Sequence, residues 1–451
     1  MSKQATTGRR PRVVQISYAC SPFQGSEPGV GWHRAVQAAQ HCDVWVICEG
    51  SEFREPVNRY LQEHGRIEGL RVVFVDIPHR TGWKARLPGS FYLRYNSWHR
   101  QVRDVIAQLH GDMPFDLVHQ SNMCGYREPG YGWTIDAPFV WGPVGGTQNF
   151  PPRLLIHAGW QGALPEATRS ILNYCQLRCS RRVRQVAERA SVLLAANTTI
   201  QRHLRETLGC DSRVILETGV DCRLFHGTAA LLQDSDDIVL RDPREERHDK
   251  TLRILWSGEH FVRKSLSHLL EALAALPPAA AFRLRVIGDG AENKRWKRLA
   301  QRLGIHDRIE WTGWLSHHNA LQQYHWADVF AFTSMRDTTG TVVLEALANG
   351  LPVVAPDHQG VGDLISDTCG FKVRVGRRKA MIECERDICA KIIDGSIDLA
   401  PLRRGALRKA VDCGWRNHGR RIVQVYRDVL GESFDWSKRT RTSESLEEVM
   451  V

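Results

Sequence analysis

Short apolar runs rich in β-branched residues alternate with longer helix-patterned segments, and this alternation occurs twice along the chain. In the first half the runs are RVVQISYA from Arg12, DVWVIC from Asp43, RVVFVDI from Arg71, DLVHQS from Asp116, PFVWG from Pro138 and SVLLAA from Ser191. Strands that are apolar on both faces need cover on both faces, and the intervening helices provide it, so the pattern predicts a parallel sheet wrapped by helices. Between Thr228 and Lys250 it lapses into the polar stretch LLQDSDDIVLRDPREERHDK, which reads as a linker. The alternation then restarts with LRILWSG from Leu252, FRLRVIGDG from Phe282, RIEWTGW from Arg308, DVFAFTS from Asp328 and LPVVAP from Leu351. A chain of 451 residues exceeds what one core holds. The expected fold class is α/β, with two Rossmann-like doubly wound domains at residues 1–228 and 251–432, a linker at 229–250 and a disordered tail at 433–451. Ligands of such sheets bind beyond the carboxyl ends of the strands, here in a cleft that the two domains face.

The net charge of +11 is uneven: residues 1–228 hold 27 Lys and Arg against 19 Asp and Glu, the remainder 34 against 31. Arg178, Arg181, Arg182, Arg184 and Arg189 cluster in a helix-patterned segment. A solvated helix face explains such a cluster, and contact with an anionic membrane surface or an acidic acceptor is the alternative. Nucleic acid is excluded as the expected partner, since there is no zinc-finger spacing, aromatic RNA-binding motif or long basic tail. Twelve scattered cysteines without CxxC pairs suit reduced thiols in a cytoplasm. No apolar window approaches a membrane span, so membrane association is expected to be peripheral, on the inner face.

The stretch MRDTTGTVVLEALANGLPVVAP, from Met335, sits where this architecture wants a ligand. A strand ends in DVFAFTS, MRDTTG is a loop, and TVVLEALANG begins a helix that stops at Asn349-Gly350. Free N–H groups near Gly340, Thr341 and Val342 form a plausible anion site. Asp337 and Glu345 carry like charge to a phosphate, so they are expected to take hydroxyls on either side of it. A helix with stabilising N-terminal acids is the bland alternative. In LWSGEHFVRKSLSHLLEAL, from Leu255, Gly258 marks a turn, and Arg263 and Lys264 precede a helix, where cations could meet the same diphosphate.

Together these segments resemble the retaining glycosyltransferases of the GT-B fold, family 4, of the bacterial polysaccharide-assembly type, most specifically from Leu252 to Val375. The family's paired acids are spaced E-x7-E, and Asp337-x7-Glu345 keeps the spacing. The resemblance implies that Glu345 holds the ribose diol of a nucleotide sugar, that Asp337 holds hydroxyls of the transferred sugar, and that Lys264 binds phosphate. It departs from the family in three places: Glu259 occupies the usual arginine position, Ser265 replaces the glycine after the lysine, and Asp337, one methylene shorter, stands in place of a glutamate. SPFQGSEPGVGW, from Ser21, looks like the family's glycine-rich loop, with Gly29 and Gly31 allowing close approach to acceptor or phosphate, although a plain turn explains it as well. His119, ending DLVHQS, corresponds to a histidine near the transferred sugar, although a lone strand-end His is more often a structural hydrogen-bonder. WGPVGGTQNFP, from Trp141, resembles a further family loop. The C-terminal helix is expected to be able to cross back to the first domain.

The resemblance implies transfer from a nucleoside-diphosphate sugar to a lipid-linked or saccharide hydroxyl with retention. It implies no metal, no cofactor and no enzymic nucleophile. The alternatives are an inactive nucleotide-sugar-binding protein, for which Glu259 is the best argument, and a GT-B epimerase or phosphorylase. Asp234 to Asp236 mimic a metal-binding DxD but fall in the linker, and His317 and His318 have no third ligand nearby.

Overall fold

The computed structural model describes residues 8–77, 90–221 and 251–439. Contacts divide the chain into two units. The first comprises residues up to Thr147, Cys175–Gly219 and the chain from Trp415 onward, and the second comprises Gln148–Tyr174 and Val220–Gly414.

The first unit is built on a seven-stranded sheet: β1 (Arg12–Ile16), β2 (Asp43–Glu49), β3 (Leu70–Val75), β4 (Leu117–Gln120), β5 (Phe139–Val144), β6 (Val192–Ala195) and β7 (Arg213–Val214). The order is β3-β2-β1-β4-β5-β6-β7, with every pairing parallel. This is the doubly wound order, with its switch between β1 and β4. The connecting helices are α1 (Ser26–Ala39), α2 (Gly50–His64), α3 (Ser90–Asp112), α5 (Arg181–Arg189) and α6 (Thr198–Leu208), while α4 (Trp160–Cys179) has its residues up to Tyr174 in the second unit. Neighbouring strand residues take opposite faces: Val14, Trp45, Val118 and Leu193 enter one apolar core, while Val13, Val44, Leu117 and Leu194 enter another.

The second unit repeats the plan with β8 (Leu252–Ser257), β9 (Phe282–Ile287), β10 (Ile309–Gly313), β11 (Val329–Ala331), β12 (Val353–Pro356) and β13 (Gly370–Val373). Its order is β10-β9-β8-β11-β12-β13, again parallel. Its helices are α7 (Leu266–Ala274), α8 (Asn293–Arg302), α9 (His317–Gln322), α10 (Thr341–Ala348), α11 (Gln359–Leu364), α12 (Arg378–Ile393) and α13 (Ala400–Asp412), and α14 (Trp415–Leu430) then joins the first unit. The expected strands are all present. β7 and β13 were not anticipated: β7 has two residues, and GFKV in β13 carries a lysine that breaks the apolar run.

The chain boundaries differ from those expected at residues 148–174 and in the tail, while the C-terminal helix crosses back to the first unit as expected. Residues 148–174 belong with the second unit, because Phe150 and Leu154 bury themselves against Met335, Val354, Val373 and Met381, each burial worth about 1.5–3 kcal/mol. Helix α14 lies on the first unit's sheet, where Ile422, Val423 and Tyr426 pack with Val13, Leu117 and Val140. A Cβ at Gly419 would stand 2.4 Å from that of Gln37, so only glycine lets α14 settle on α1. The expected tail is ordered as far as Arg439: Trp436 is buried, and the Arg439 guanidinium donates to the carbonyls of Ala39 and Cys42 and pairs with Asp43. The expected linker, with Asp234 to Asp236, and the chain beyond Arg439 lie outside the described residues. Among the described residues no helix is long and apolar enough to cross a membrane.

Candidate active site

The site residues of the second unit grow from the carboxyl ends of β8 and β11. After β8, Gly258 turns with φ +157°, and its amide bonds Ile287 O at 3.1 Å. Gly288, in the VIGDG turn after β9, presses on it so closely that a Cβ would meet Gly258 O at 2.1 Å. A single 3-10 turn, Val262–Lys264, follows, and Ser265 then adopts φ +50°, ψ +35°. That left-handed conformation explains a glycine preference at this position, since a side chain there costs about 1–2 kcal/mol. The Ser265 hydroxyl bonds back to Val262 O at 3.1 Å.

Arg263 and Lys264 converge on Asp337. Lys264 Nζ lies 2.6 Å from Asp337 Oδ2 and Arg263 Nη1 3.3 Å from the same oxygen. Burial lowers the Lys264 ammonium below its ordinary value, with Asp337 opposing. Burial alone would raise the Asp337 carboxyl, but Lys264, Arg263 and the Thr338 amide together hold it below the usual carboxylate range. Glu259 is exposed, and its field helps keep Lys264 charged.

The loop that carries Asp337 is braced from several sides. The Asp337 amide donates to Gln359 Oε1 at 2.9 Å, and Gln359 Nε2 donates to Asn149 O at 2.9 Å. At Gly360 a Cβ would lie 1.7 Å from Thr338 O, so α11 touches the loop through bare backbone. Arg336 forms a bidentate pair with Glu166 of α4, at 2.7 and 2.8 Å, the fork geometry that fixes orientation as well as charge. Gly340, φ +84°, then caps α10; a Cβ there would strike the Phe332 ring at 2.9 Å. Lys264 Nζ stands 5.4 Å from the centre of that same ring. The amides of Thr341 and Val342, which open α10 without intrahelical acceptors, therefore start within one ring of the ammonium.

Glu345, one turn further on, has its own partners. Its Oε2 accepts from the Tyr324 hydroxyl at 2.8 Å and its Oε1 faces His317 Nε2 at 3.1 Å. The Glu345 hydrogen bond raises the His317 imidazole above its ordinary value. Burial, then Glu345, pushes the Tyr324 phenol well up. So the structure joins Arg263, Lys264 and Asp337 in one group and gives Glu345 a second group. Sequence reasoning missed Glu166, Arg336, Gln359 and Tyr324, and it set His317 aside as a metal ligand without finding its link to Glu345. Gln359, Tyr324 and His317 lie 21 to 28 residues from the acids they contact, and Arg336, though next to Asp337, takes its meaning from Glu166, 170 residues away, so no local spacing points to these links.

The expectations in the first unit are corrected. His119 is fully buried: Nδ1 meets the Tyr426 hydroxyl at 2.6 Å and Nε2 meets Gly142 O at 2.7 Å. Burial and then Arg34 hold it neutral, down to about 3. With both nitrogens engaged it is a structural hydrogen-bonder and has no face open to a sugar. Gly29 and Gly31 are not in a loop but inside α1. Their close approaches are to protein, since Cβ atoms there would meet Gln24 O at 2.6 Å and Ala19 O at 2.1 Å.

Residues 240–383 match the family described as glycosyl transferases group 1. A lipopolysaccharide core biosynthesis glycosyltransferase of Rhizobium meliloti is 33% identical over 153 residues, 34% of this chain and 43% of that one. An α-monoglucosyldiacylglycerol synthase of Streptococcus pneumoniae is 29% identical over 169 residues, 37% of this chain and 36% of that one. The chain thus spans less than half the length of these curated relatives. Among solved structures, Anabaena Alr3699/HepE in complex with UDP and glucose superposes with a TM-score of 0.56 at 17% identity, over 93% of this chain and 100% of that one. Sucrose-phosphate synthase from Thermosynechococcus elongatus gives 0.59 at 17% identity, over 93% and 99%. The chain therefore carries a segment similar to the glycosyl transferases group 1 family and has the two-domain fold of these structures, the GT-B fold.

Proposed function

We propose that the second unit binds a nucleoside-diphosphate sugar and that the chain transfers the sugar, with retention, to a hydroxyl acceptor in polysaccharide or glycolipid assembly, as a family 4 enzyme would. The observation that carries the reading is the meeting of Lys264, Arg263 and the start of α10 around Asp337 and Phe332. Two cations and a helix N-terminus form a receptor for a leaving diphosphate, whose growing charge they would stabilise. Asp337, fixed beside them, is placed to hold hydroxyls of the transferred sugar. Glu345, oriented by Tyr324, keeps acceptor capacity for a ribose diol, because a carboxylate offers about four lone-pair sites and two are taken. The names of neighbours solved with UDP and glucose, and of relatives that build lipopolysaccharide and glycolipid, support the same substrate classes.

Calorimetry with UDP, GDP and ADP tests the reading. One of these is expected to bind wild type, and Glu345→Ala is expected to weaken it at least about ten-fold, the loss of one charged hydrogen-bonding contact. Asp337→Ala is expected to spare nucleotide binding and abolish transfer. Equal nucleotide affinity in wild type and Glu345→Ala would sink the assignment. Glu259 favours a second reading, a nucleotide-sugar-binding protein without catalysis, and donor consumption by the purified wild type decides against it.

A further inference from the structure

Helix α4 has two unlike faces. Inward, Glu166 pairs with Arg336, Asn173 donates to Asn149 at 2.7 Å, and a Cβ on Gly162 would meet Val262 at 2.5 Å. Outward stand Trp160, Leu164, Ile171 and Tyr174, 78%, 67%, 63% and 59% exposed, with Leu172 beside them and Ile156, 81% exposed, in the turn before the helix. At about 100° per residue, Trp160, Leu164 and Ile171 fall within about 40° of one another, and Glu166 lies about 140° from the centre of that stripe. Large apolar side chains scattered singly on a surface are ordinary, but six along one helix and its lead-in turn form a docking face.

Charge selects the occupant. From Phe150 to Arg184 the chain holds six arginines and one acid, and that acid, Glu166, is turned inward on Arg336. Arg153 ahead of the helix, Arg178 in its last turn, and Arg181 and Arg184 in α5 are exposed. A second copy laid along α4 would bring arginines mostly against arginines, with Glu188 of α5 the one exposed acid on these two helices. An anionic bilayer surface takes both features, with apolar and aromatic side chains entering the headgroup boundary and guanidinium groups meeting lipid phosphates. We propose that α4, with the turn that precedes it, is an interfacial anchor that lies on an anionic phospholipid membrane. None of its outward residues belongs to the donor site, so this inference stands apart from the proposed chemistry.

The test is co-sedimentation of the full chain with phosphatidylcholine vesicles, with and without phosphatidylglycerol. Binding to the anionic vesicles is expected, weakening as salt is raised. The triple variant Trp160→Gln, Leu164→Gln, Ile171→Gln is expected to bind at least about ten-fold more weakly, and Arg178→Gln about five-fold more weakly. Circular dichroism and nucleotide calorimetry on the triple variant are expected to match wild type, which separates lost docking from lost folding and from failure of the donor reading. Wild type that stays in the supernatant with anionic vesicles overturns the proposal, as does a triple variant that sediments equally. A dimer in sedimentation velocity that the triple variant dissolves, with vesicle binding unchanged, assigns the face to a second copy and also overturns it.

Discussion

The two units share a strand plan but treat the ends of their central strands in opposite ways. At the end of β4 in the first unit, His119 is capped on both nitrogens. Beside it Arg34, 1% exposed, donates to the carbonyls of Ser121 and Glu217 and to His418 Nε2. In the second unit, Asp337 after β11 and Arg263 after β8 each keep a quarter of their side chains exposed, and His317 after β10 keeps 62%. The same topology therefore yields a sealed hydrogen-bond network in one place and accessible, paired charges in the other. The motif's position in the fold does not decide between them. What decides is whether another element, here α14, closes over the strand end.

The sharpest way to break this contrast is acid. Burial holds His99 and His119 in the first unit neutral down to about 3, and His418 well below its ordinary value. An unfolded imidazole takes its proton below about 6.5 while these folded ones do not, so the unfolded state binds more protons and stability falls as pH falls from 6.5 toward 3. His99 and His119 together are expected to cost the first unit about 5 kcal/mol over two pH units. The second unit has His260, held down to about 4 by burial, and is expected to lose about half as much. Native-state hydrogen exchange, corrected for intrinsic rates, should show β4 and α14 losing protection before β8 and β11. Equal loss in both units would erase the distinction.

The second effect sits in the open site. Asp337→Ala leaves Lys264, only 12% exposed, without its carboxylate. A buried cation stripped of its partner costs about 3 kcal/mol, so urea denaturation is expected to show a large loss. Added nucleoside diphosphate is expected to restore part of it, because a ligand anion would replace the missing acid. A variant as stable as wild type would mean that the pair is not a store of binding charge.

The same contrast explains what could be read from sequence alone. The strands of both sheets were legible because buried parallel strands leave continuous apolar runs, while β7 and β13 were too short or too polar to do so. Lys264, Asp337 and Glu345 were legible because they lie on two local strand–loop–helix segments with a recognisable spacing. His119, Gly29 and Gly31 misled, since a strand-end histidine and a glycine-rich turn look alike whether they face ligand or protein; Tyr426, 307 residues away, settles the first. The bracing by Glu166 and Asn149 was invisible for the same reason. An insertion from the first half of the chain folds onto the second unit, and its only local trace is the apolar pair Phe150 and Leu154.

A smaller effect tests the loop between β8 and α7. Ser265 holds φ +50° where glycine rests without strain. Ser265→Gly is expected to stabilise the protein by about 0.5–1 kcal/mol, relief of the left-handed conformation outweighing the lost bond to Val262 O. A lower thermal midpoint would show that the serine hydroxyl matters more than the backbone.

The smallest effect concerns the pair at Glu345. His317 has its imidazole raised by the Glu345 hydrogen bond. Its contribution is therefore complete below about 6.5 and lost as pH rises through the raised value. Because His317 is 62% exposed, solvent screens the pair, and a few tenths of a kcal/mol is the expected scale. His317→Ala should lower the urea midpoint slightly at pH 6 and not at pH 9, whereas Tyr324→Phe, which removes a buried hydroxyl from the same carboxylate, should cost more at both. If the two variants behave alike, Glu345 is as sealed as His119, and the open site loses the carboxylate that its nucleotide end requires.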